Sequence, residues 1–460
     1  MIPVEKIAGG TIGNLVYYVA IIGILILVAT FLRLKVPFLR KAFIPASLLA
    51  GLIGLILGPH VLKVIPADMM SSIGALPGHM ITIVFACMLL GVKSEKGAGK
   101  LYAHDMVAGL GWLWSNSFMQ VGVASLLTGL LFTPLFGTNG LFGSVFEIGF
   151  AGGHGTAGGM ADTFANTFNW ADGGDLGKTT ATIGLLCGIF GGMLIINIAV
   201  RKKWTKVLTV PTKGNEAKEV FPEKEREASS YGTISNDVVE PFAFHLAIIG
   251  VAILIGRLIV WGFGKIFGYT GLPLFPFAMI GGWLINILAQ HTKLKELFDR
   301  KTFMRIQGMA LEILVTGAVA SVSIPVVLKY WAPLLITTIV IMALLVFYML
   351  WLSPRIFEDC WFEQGIIRYG AFTGVAAVGY MLLRCSDPKM ETNAGTIYAL
   401  DGPLMSPFIG GGLVTALWPA MITKFGATVW GLIACGISLA IFLVIFFLFR
   451  VKNFKMQQRN

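Results

Sequence analysis

Eleven apolar runs, each long enough to cross a bilayer, lie near residues 15–32, 43–62, 79–92, 106–132, 178–200, 242–262, 274–290, 308–327, 332–352, 403–423 and 427–449. A chain built this way satisfies its backbone hydrogen bonds inside helices, because lipid offers no partner for a bare N–H or C=O. The bulk numbers agree: 56% of the 460 residues are hydrophobic, 13% are charged and the mean hydropathy is +0.79. An all-α integral membrane protein follows. The net charge of +11 resides in short basic clusters between apolar runs, which is the pattern of membrane orientation and excludes nucleic-acid binding. The five cysteines (Cys87, Cys187, Cys360, Cys385, Cys435) are scattered without a C-x-x-C pair and read as small core residues. The first run is followed by Arg-Leu-Lys and not by a small-residue cleavage site, so it reads as a retained helix.

Two further hydrophobic segments, 141–165 and 362–386, are too rich in glycine for ordinary spans and suit re-entrant hairpins. With the N-terminus outside and the C-terminus cytoplasmic, 28 of the 35 lysines and arginines fall on inner segments, Arg368 and Arg384 among them. That split requires each hairpin to enter and leave on one side. Residues 201–240 form the only long hydrophilic stretch and read as a cytoplasmic linker. It separates a first repeat (1–200) from a second (241–424), each with five spans and one hairpin, and the odd number of spans before it inverts the second against the first. Residues 425–460 add a further span and tail. Secondary transporters follow this inverted-repeat plan, with substrate and ion sites where the broken elements meet.

The first hairpin carries Glu147-Ile-Gly-Phe-Ala-Gly-Gly-His-Gly-Thr-Ala-Gly-Gly-Met160. Five glycines within eight residues, with His154 and Thr156, are expected to defeat a continuous helix between Gly152 and Gly159. Broken backbone of that kind supplies carbonyl oxygens to a cation and N–H groups to a carboxylate. Thr156 and Thr373 are candidate sodium ligands, and Gly152, Gly153, Gly155 and Gly374 shape the two turns. His154 has three readings: proton shuttle, partner of a substrate carboxylate, or tie for the hairpin tip. Glu147, Asp162 and Glu312 are acidic residues at or near membrane depth, where a charge marks an ion path or a buried partner, with an interfacial role open for Glu312. Arg384 either pairs with a substrate carboxylate or anchors the helix end beside Lys389. Glycines of Gly51-x-x-Gly54-x-x-x-Gly58, and Gly410 to Gly412, read as close helix packing. No P-loop, H-E-x-x-H or G-x-S-x-G arrangement is present, so ATP-driven pumping and hydrolysis are not expected.

Gly152-Gly153-His154-Gly155-Thr156, its place between the fourth and fifth spans, and the layout of two halves with a linker resemble the bacterial sodium/glutamate symporters. The second hairpin, Tyr369 to Arg384, departs from the run typical of that family. The resemblance implies a symporter of the bacterial inner membrane, not an enzyme, with sodium as coupling ion and no other cofactor. It further implies a small anionic substrate and a homodimer. Transport would proceed by elevator-like displacement of a domain holding both hairpins against a scaffold that includes spans 15–32 and 242–262. The residues themselves leave open a carrier of another organic anion, a di- or tricarboxylate, coupled to sodium or protons, and a channel.

Overall fold

The computed structural model describes residues 9–41, 44–92, 102–207, 222–226, 228–267, 272–388 and 390–451. Most of the linker, the cluster Lys93, Lys96 and Lys100, and the tail beyond 451 lie outside the described residues. The principal helices are α1 (Gly9–Lys35), α2 (Ala46–Leu57), α3 (Ala67–Met88), α4 (Ala103–Leu127), α5 (Ser144–Phe150), α6 (Gly153–Asp162), α7 (Asp172–Arg201), α8 (Pro241–Phe267), α9 (Phe275–Gln290), α10 (Arg300–Ala320), α11 (Trp331–Phe347), α12 (Trp361–Ser386), α13 (Ala394–Met405), α14 (Leu413–Phe425) and α15 (Ala427–Leu448). No strand is found among the described residues. Nine of the described helices are long and apolar enough to cross a membrane, so the protein is a multi-pass membrane protein. Three expected spans differ most from the sequence reading, and the one at 79–92 is helical over 67–88. The expected span 308–327 is helical over 300–320, and the expected span 403–423 is divided between α13 and α14.

The chain forms two compact units. The first comprises residues 1–94, 154–167 and 216–323, hence α1, α2, α3, α8, α9, α10 and all but the first residue of α6. α10 packs on both α2 and α3, and α9 on α3 and α8. Close approach requires small residues, as read for the α2 glycines: a β-carbon on Gly51 would stand 2.5 Å from that of Val319, and one on Gly54 2.8 Å from that of Ala320. Around Phe303 a buried cluster joins Ala86, Cys87, Leu90, Ile249, Ala252, Ala278 and Ile306. Arg300 closes the end of α3 by donating to the carbonyls of Cys87 and Leu90, each at 2.8 Å.

The second unit comprises residues 95–153, 168–215 and 324–460, hence α4, α5, α7 and α11 to α15. The final helix is no appendage. α15 lies along α4, where Gly122 and Gly431 leave room for Cys435 and Leu126. The Ser115 hydroxyl donates to the Ser438 carbonyl at 2.8 Å, and the Ser438 hydroxyl donates to the Ser115 carbonyl at 2.7 Å. α7 packs on α5 and α12. Two spans share one ending: α4 runs into a π-helical turn (Thr128–Phe132) and a short helix opened by Thr133-Pro134, while α11 runs into Tyr348–Leu352 and Ser353-Pro354.

α12 is apolar and long enough for a span, yet its backbone breaks at Gly374 (φ −156°, ψ 42°) and Val375 (φ 67°, ψ 167°). A continuous helix would separate Gly370 from Gly379 by about 13.5 Å. Instead a β-carbon on Gly370 would lie 2.7 Å from the Gly379 α-carbon, so the two arms fold back on each other.

Asp299 caps α10, accepting from the amides of Thr302 (2.9 Å) and Lys301 (3.3 Å), the Thr302 hydroxyl (2.6 Å) and the Tyr231 amide (3.0 Å). Its own amide donates to Nε2 of His245, whose Nδ1 lies 2.6 Å from the Pro241 carbonyl. His245 thus serves the packing of α8 on the start of α10. Burial pushes the Asp299 carboxyl up, but the bonds from Thr302, Tyr231 and Lys301 outweigh it and hold it below its ordinary 3.8. A depressed folded-state value contributes stability that is full above the unfolded value and lost as pH falls through the folded one. Asp299→Ala should therefore cost about 1–2 kcal/mol at pH 7 in detergent. Thermal unfolding of parent and variant should converge as pH drops below 3.8.

Candidate functional site

Three interrupted elements converge in the second unit. The first is the turn after α5, where Gly153 takes φ +69°. The second is the α12 break, and a β-carbon on Gly153 would run into the Val375 side chain. The third is the segment between α13 and α14, where Gly410 (φ 65°) and Gly411 (φ 105°) adopt backbone that favours glycine. A β-carbon on Gly410 would stand 3.6 Å from the Ala151 carbonyl. The packing role read for Gly410 to Gly412 is therefore corrected for Gly410 and Gly411, which sit in a break.

Glu147 ties the first and third elements together. Fully buried, it receives the Ser117 hydroxyl (2.7 Å), the Gly410 amide (3.1 Å) and the Thr415 hydroxyl (3.1 Å) on Oε1, and the Trp418 indole N–H (2.8 Å) on Oε2. Of the two readings for an intramembrane acid, this is the buried-partner arrangement: four donors from α4, α14 and the loop before it occupy the carboxylate.

Thr373 ends the first arm of α12. Its hydroxyl donates to the Tyr369 carbonyl at 2.9 Å, and Tyr369 in turn donates to the Cys187 carbonyl of α7 at 3.2 Å. Gly188 makes space for the Thr373 side chain and Gly184 for its carbonyl. On the α4 side, the Gln120 amide donates to the Phe372 carbonyl at 2.8 Å.

Below this break lies an ion pair that the sequence reading missed. Arg368, counted there as an inner basic residue, is fully buried and bonded to the fully buried Asp401. Gly109 of α4 admits the pair, since a β-carbon there would stand 2.8 Å from Cζ of Arg368. Arg368 also donates to Oε1 of Gln364 (2.7 Å) and stacks 4.7 Å over Phe357. Gln364 donates to Asp105 (3.1 Å), which accepts from the Glu358 amide (3.0 Å). A polar seam thus runs between α4 and α12.

The first unit holds His154, Gly155, Thr156, Asp162 and Glu312 of the predicted set. His154 and Thr156 are buried in α6, which is helical straight through Gly155, Gly158 and Gly159. The expectation that glycines up to Gly159 break the helix is corrected: the break is confined to the turn that ends at Gly153. Those glycines serve packing, with β-carbons that would meet Leu314 at 3.1 Å, Pro77 at 2.6 Å and Phe275 at 2.8 Å. The chain passes between units at Gly153–His154, so the two arms of the first hairpin belong to different units. Asp162 and Glu312 are exposed on the first unit, and Arg384 is exposed in the last turn of α12, ten residues past Gly374 in sequence.

Comparison with known families matches residues 13–358 to the family described as sodium/glutamate symporter. The match stops short of α12, so the second break, the Arg368–Asp401 pair and α13 to α15 lie beyond it. No curated protein matches the chain.

Asp401→Asn should cost about 3–5 kcal/mol by stranding a buried guanidinium. Arg368→Met with Asp401→Leu should recover most of it in thermal unfolding; a stable single variant would rule the pair out as a structural tie. Gly153→Ala should lose about 1–2 kcal/mol from its positive φ alone, plus the clash with Val375, and adding Val375→Ala should restore only the steric part.

Proposed function

The chain belongs to the sodium/glutamate symporter family, and on that premise we propose that it imports glutamate or a similar acidic amino acid, driven by an inward sodium gradient. The observation that carries this reading is the meeting of the turn before Gly153 with the α12 break at Val375. Each break frees backbone groups: helix ends there present carbonyls to a cation and N–H groups to a carboxylate. The Gly410–Gly411 segment, bound through Glu147, adds a third set.

We further propose an elevator-like cycle in a homodimer of the bacterial inner membrane, in which a domain holding both hairpins moves against a scaffold that includes α1 and α8. The shared endings of α4 and α11 support two related halves, taken here as inverted repeats with α5–α6 and α12 as their re-entrant hairpins. Thr156, Thr373, His154 and Arg384 stay candidates for ion and substrate contact. A second reading, transport of a di- or tricarboxylate, draws on one observation: the family match ends before α12, where half of the binding region would lie.

Purified protein in proteoliposomes should accumulate labelled glutamate only under an inward sodium gradient. Equal uptake with choline in place of sodium and an imposed proton gradient would refute sodium coupling. Preference for a dicarboxylate in the same assay would move the substrate to the second reading.

A further inference from the structure

Within the apolar helix α4, Asn116 and Gln120 stand one turn apart, so their side chains share a face. Both are completely buried. The Asn116 Nδ2 donates to the Trp112 carbonyl at 3.0 Å and the Gln120 Nε2 to the Phe372 carbonyl at 2.8 Å. Those two acceptors fix the amide orientations, since turning either amide over would set oxygen against oxygen. Each amide oxygen then faces away from its acceptor. Neither Asn116 Oδ1 nor Gln120 Oε1 has a hydrogen-bond donor among the described residues.

Two buried carbonyl-type oxygens without donors, one turn apart, are a poor use of a membrane helix, where an unsatisfied polar group is costly. They are a good use of one that coordinates a cation. The surroundings agree. Gln120 is bound to the last turn of the first α12 arm, and a helix that ends at Thr373 leaves its final carbonyls without the amide partners of a further turn. Trp112 packs edge-on against Phe372 with ring centroids 5.9 Å apart, closing the apolar side. The donor set is oxygen only and carries no formal charge, which suits a hard monovalent ion at a broken helix.

We propose that Asn116 and Gln120 are ligands of a coupling sodium ion, held between their amide oxygens and the freed carbonyls at the α12 break. This rests on the sodium-coupled reading above and adds to it a location on the face of α4 toward α12, apart from the Thr373 hydroxyl, which faces Gly188. Ion binding there links α4 to the α12 tip, so occupancy orders the break whose Val375 meets Gly153.

The test uses the full-length protein in two assays: sodium-dependent thermal stabilisation in detergent, with potassium holding ionic strength constant, and glutamate uptake against external sodium in proteoliposomes. Asn116→Leu and Gln120→Met keep the volume and remove the oxygen. Each should raise half-saturating sodium by about tenfold or more, the equivalent of about 1.4 kcal/mol, and shrink the sodium-induced stabilisation. Asn116→Asp and Gln120→Glu retain an oxygen and should stay within about threefold of the parent. If the apolar variants do not assemble, the carboxylate pair decides: a changed preference for sodium over potassium supports the site, and an unchanged one overturns it. Unaltered half-saturation in folded apolar variants, or an equal loss of uptake at every sodium concentration, overturns the site while leaving sodium coupling intact. A parent protein without sodium dependence in either assay overturns the coupling reading and the site together.

Discussion

Lipid cannot hydrogen-bond a peptide group, so each interruption of a membrane-embedded helix must find its partners inside the protein. In the second unit that demand organises the packing. The Glu147 carboxylate takes the Gly410 amide, and the Thr415 hydroxyl that shares this carboxylate also accepts from the Gly411 amide at 3.2 Å. Gln120 takes the Phe372 carbonyl at the other break. Two side chains, one acidic and one neutral, thereby hold irregular backbone in place and connect it to α4. The same helix carries Gly109 beside Arg368, so α4 touches the Glu147 carboxylate, the α12 break and the buried ion pair.

Small residues make this possible. A polar break is useful only if its flanking helices can approach it, and along α7 Gly184, Gly188 and Gly192 recur every four residues against Thr373 and Leu382. A methyl group at any of these positions would meet side chain or backbone of α12. α15 uses the same device on the opposite partner, with Gly431 set against α4. One face of α15 is thereby buried on α4, while Leu432, Leu439 and Phe447 on the rest of the helix stay exposed.

Hydropathy made the class and most of the helices legible, because twenty apolar residues in a row have one stable arrangement in a bilayer. The glycine-dense segments at Gly152 and Gly374 were legible as breaks, but their extent was not. Glycine count alone cannot distinguish a residue that turns the chain, such as Gly153 with φ +69°, from Gly158, which lies within a helix where Pro77 leaves no room for a side chain. Gly410 and Gly411 failed in the opposite direction, since a short run of glycines in an apolar stretch reads equally as helix packing. Arg368 was hidden for another reason. Basic residues near span ends satisfy the charge bias of the inner side, and only the three-dimensional arrangement brings Asp401, thirty-three residues later, onto its guanidinium. Asn116 and Gln120 carried a readable signal, two amides at helical spacing inside an apolar span.

Val375 gathers these constraints in one residue. A β-branched side chain at φ 67° and ψ 167° occupies backbone space that glycine almost alone uses, at a cost of about 1–3 kcal/mol. The conformation persists because its surroundings determine it. Gly370 and Gly379 press the two arms together, α7 holds Thr373 and α4 holds Phe372, so the chain between them has a single path. Glycine at 375 would relax the backbone, but it would also remove the side chain that touches Gly153. The strain and the contact are therefore inseparable, and any rearrangement that eases Val375 must also part the two tips.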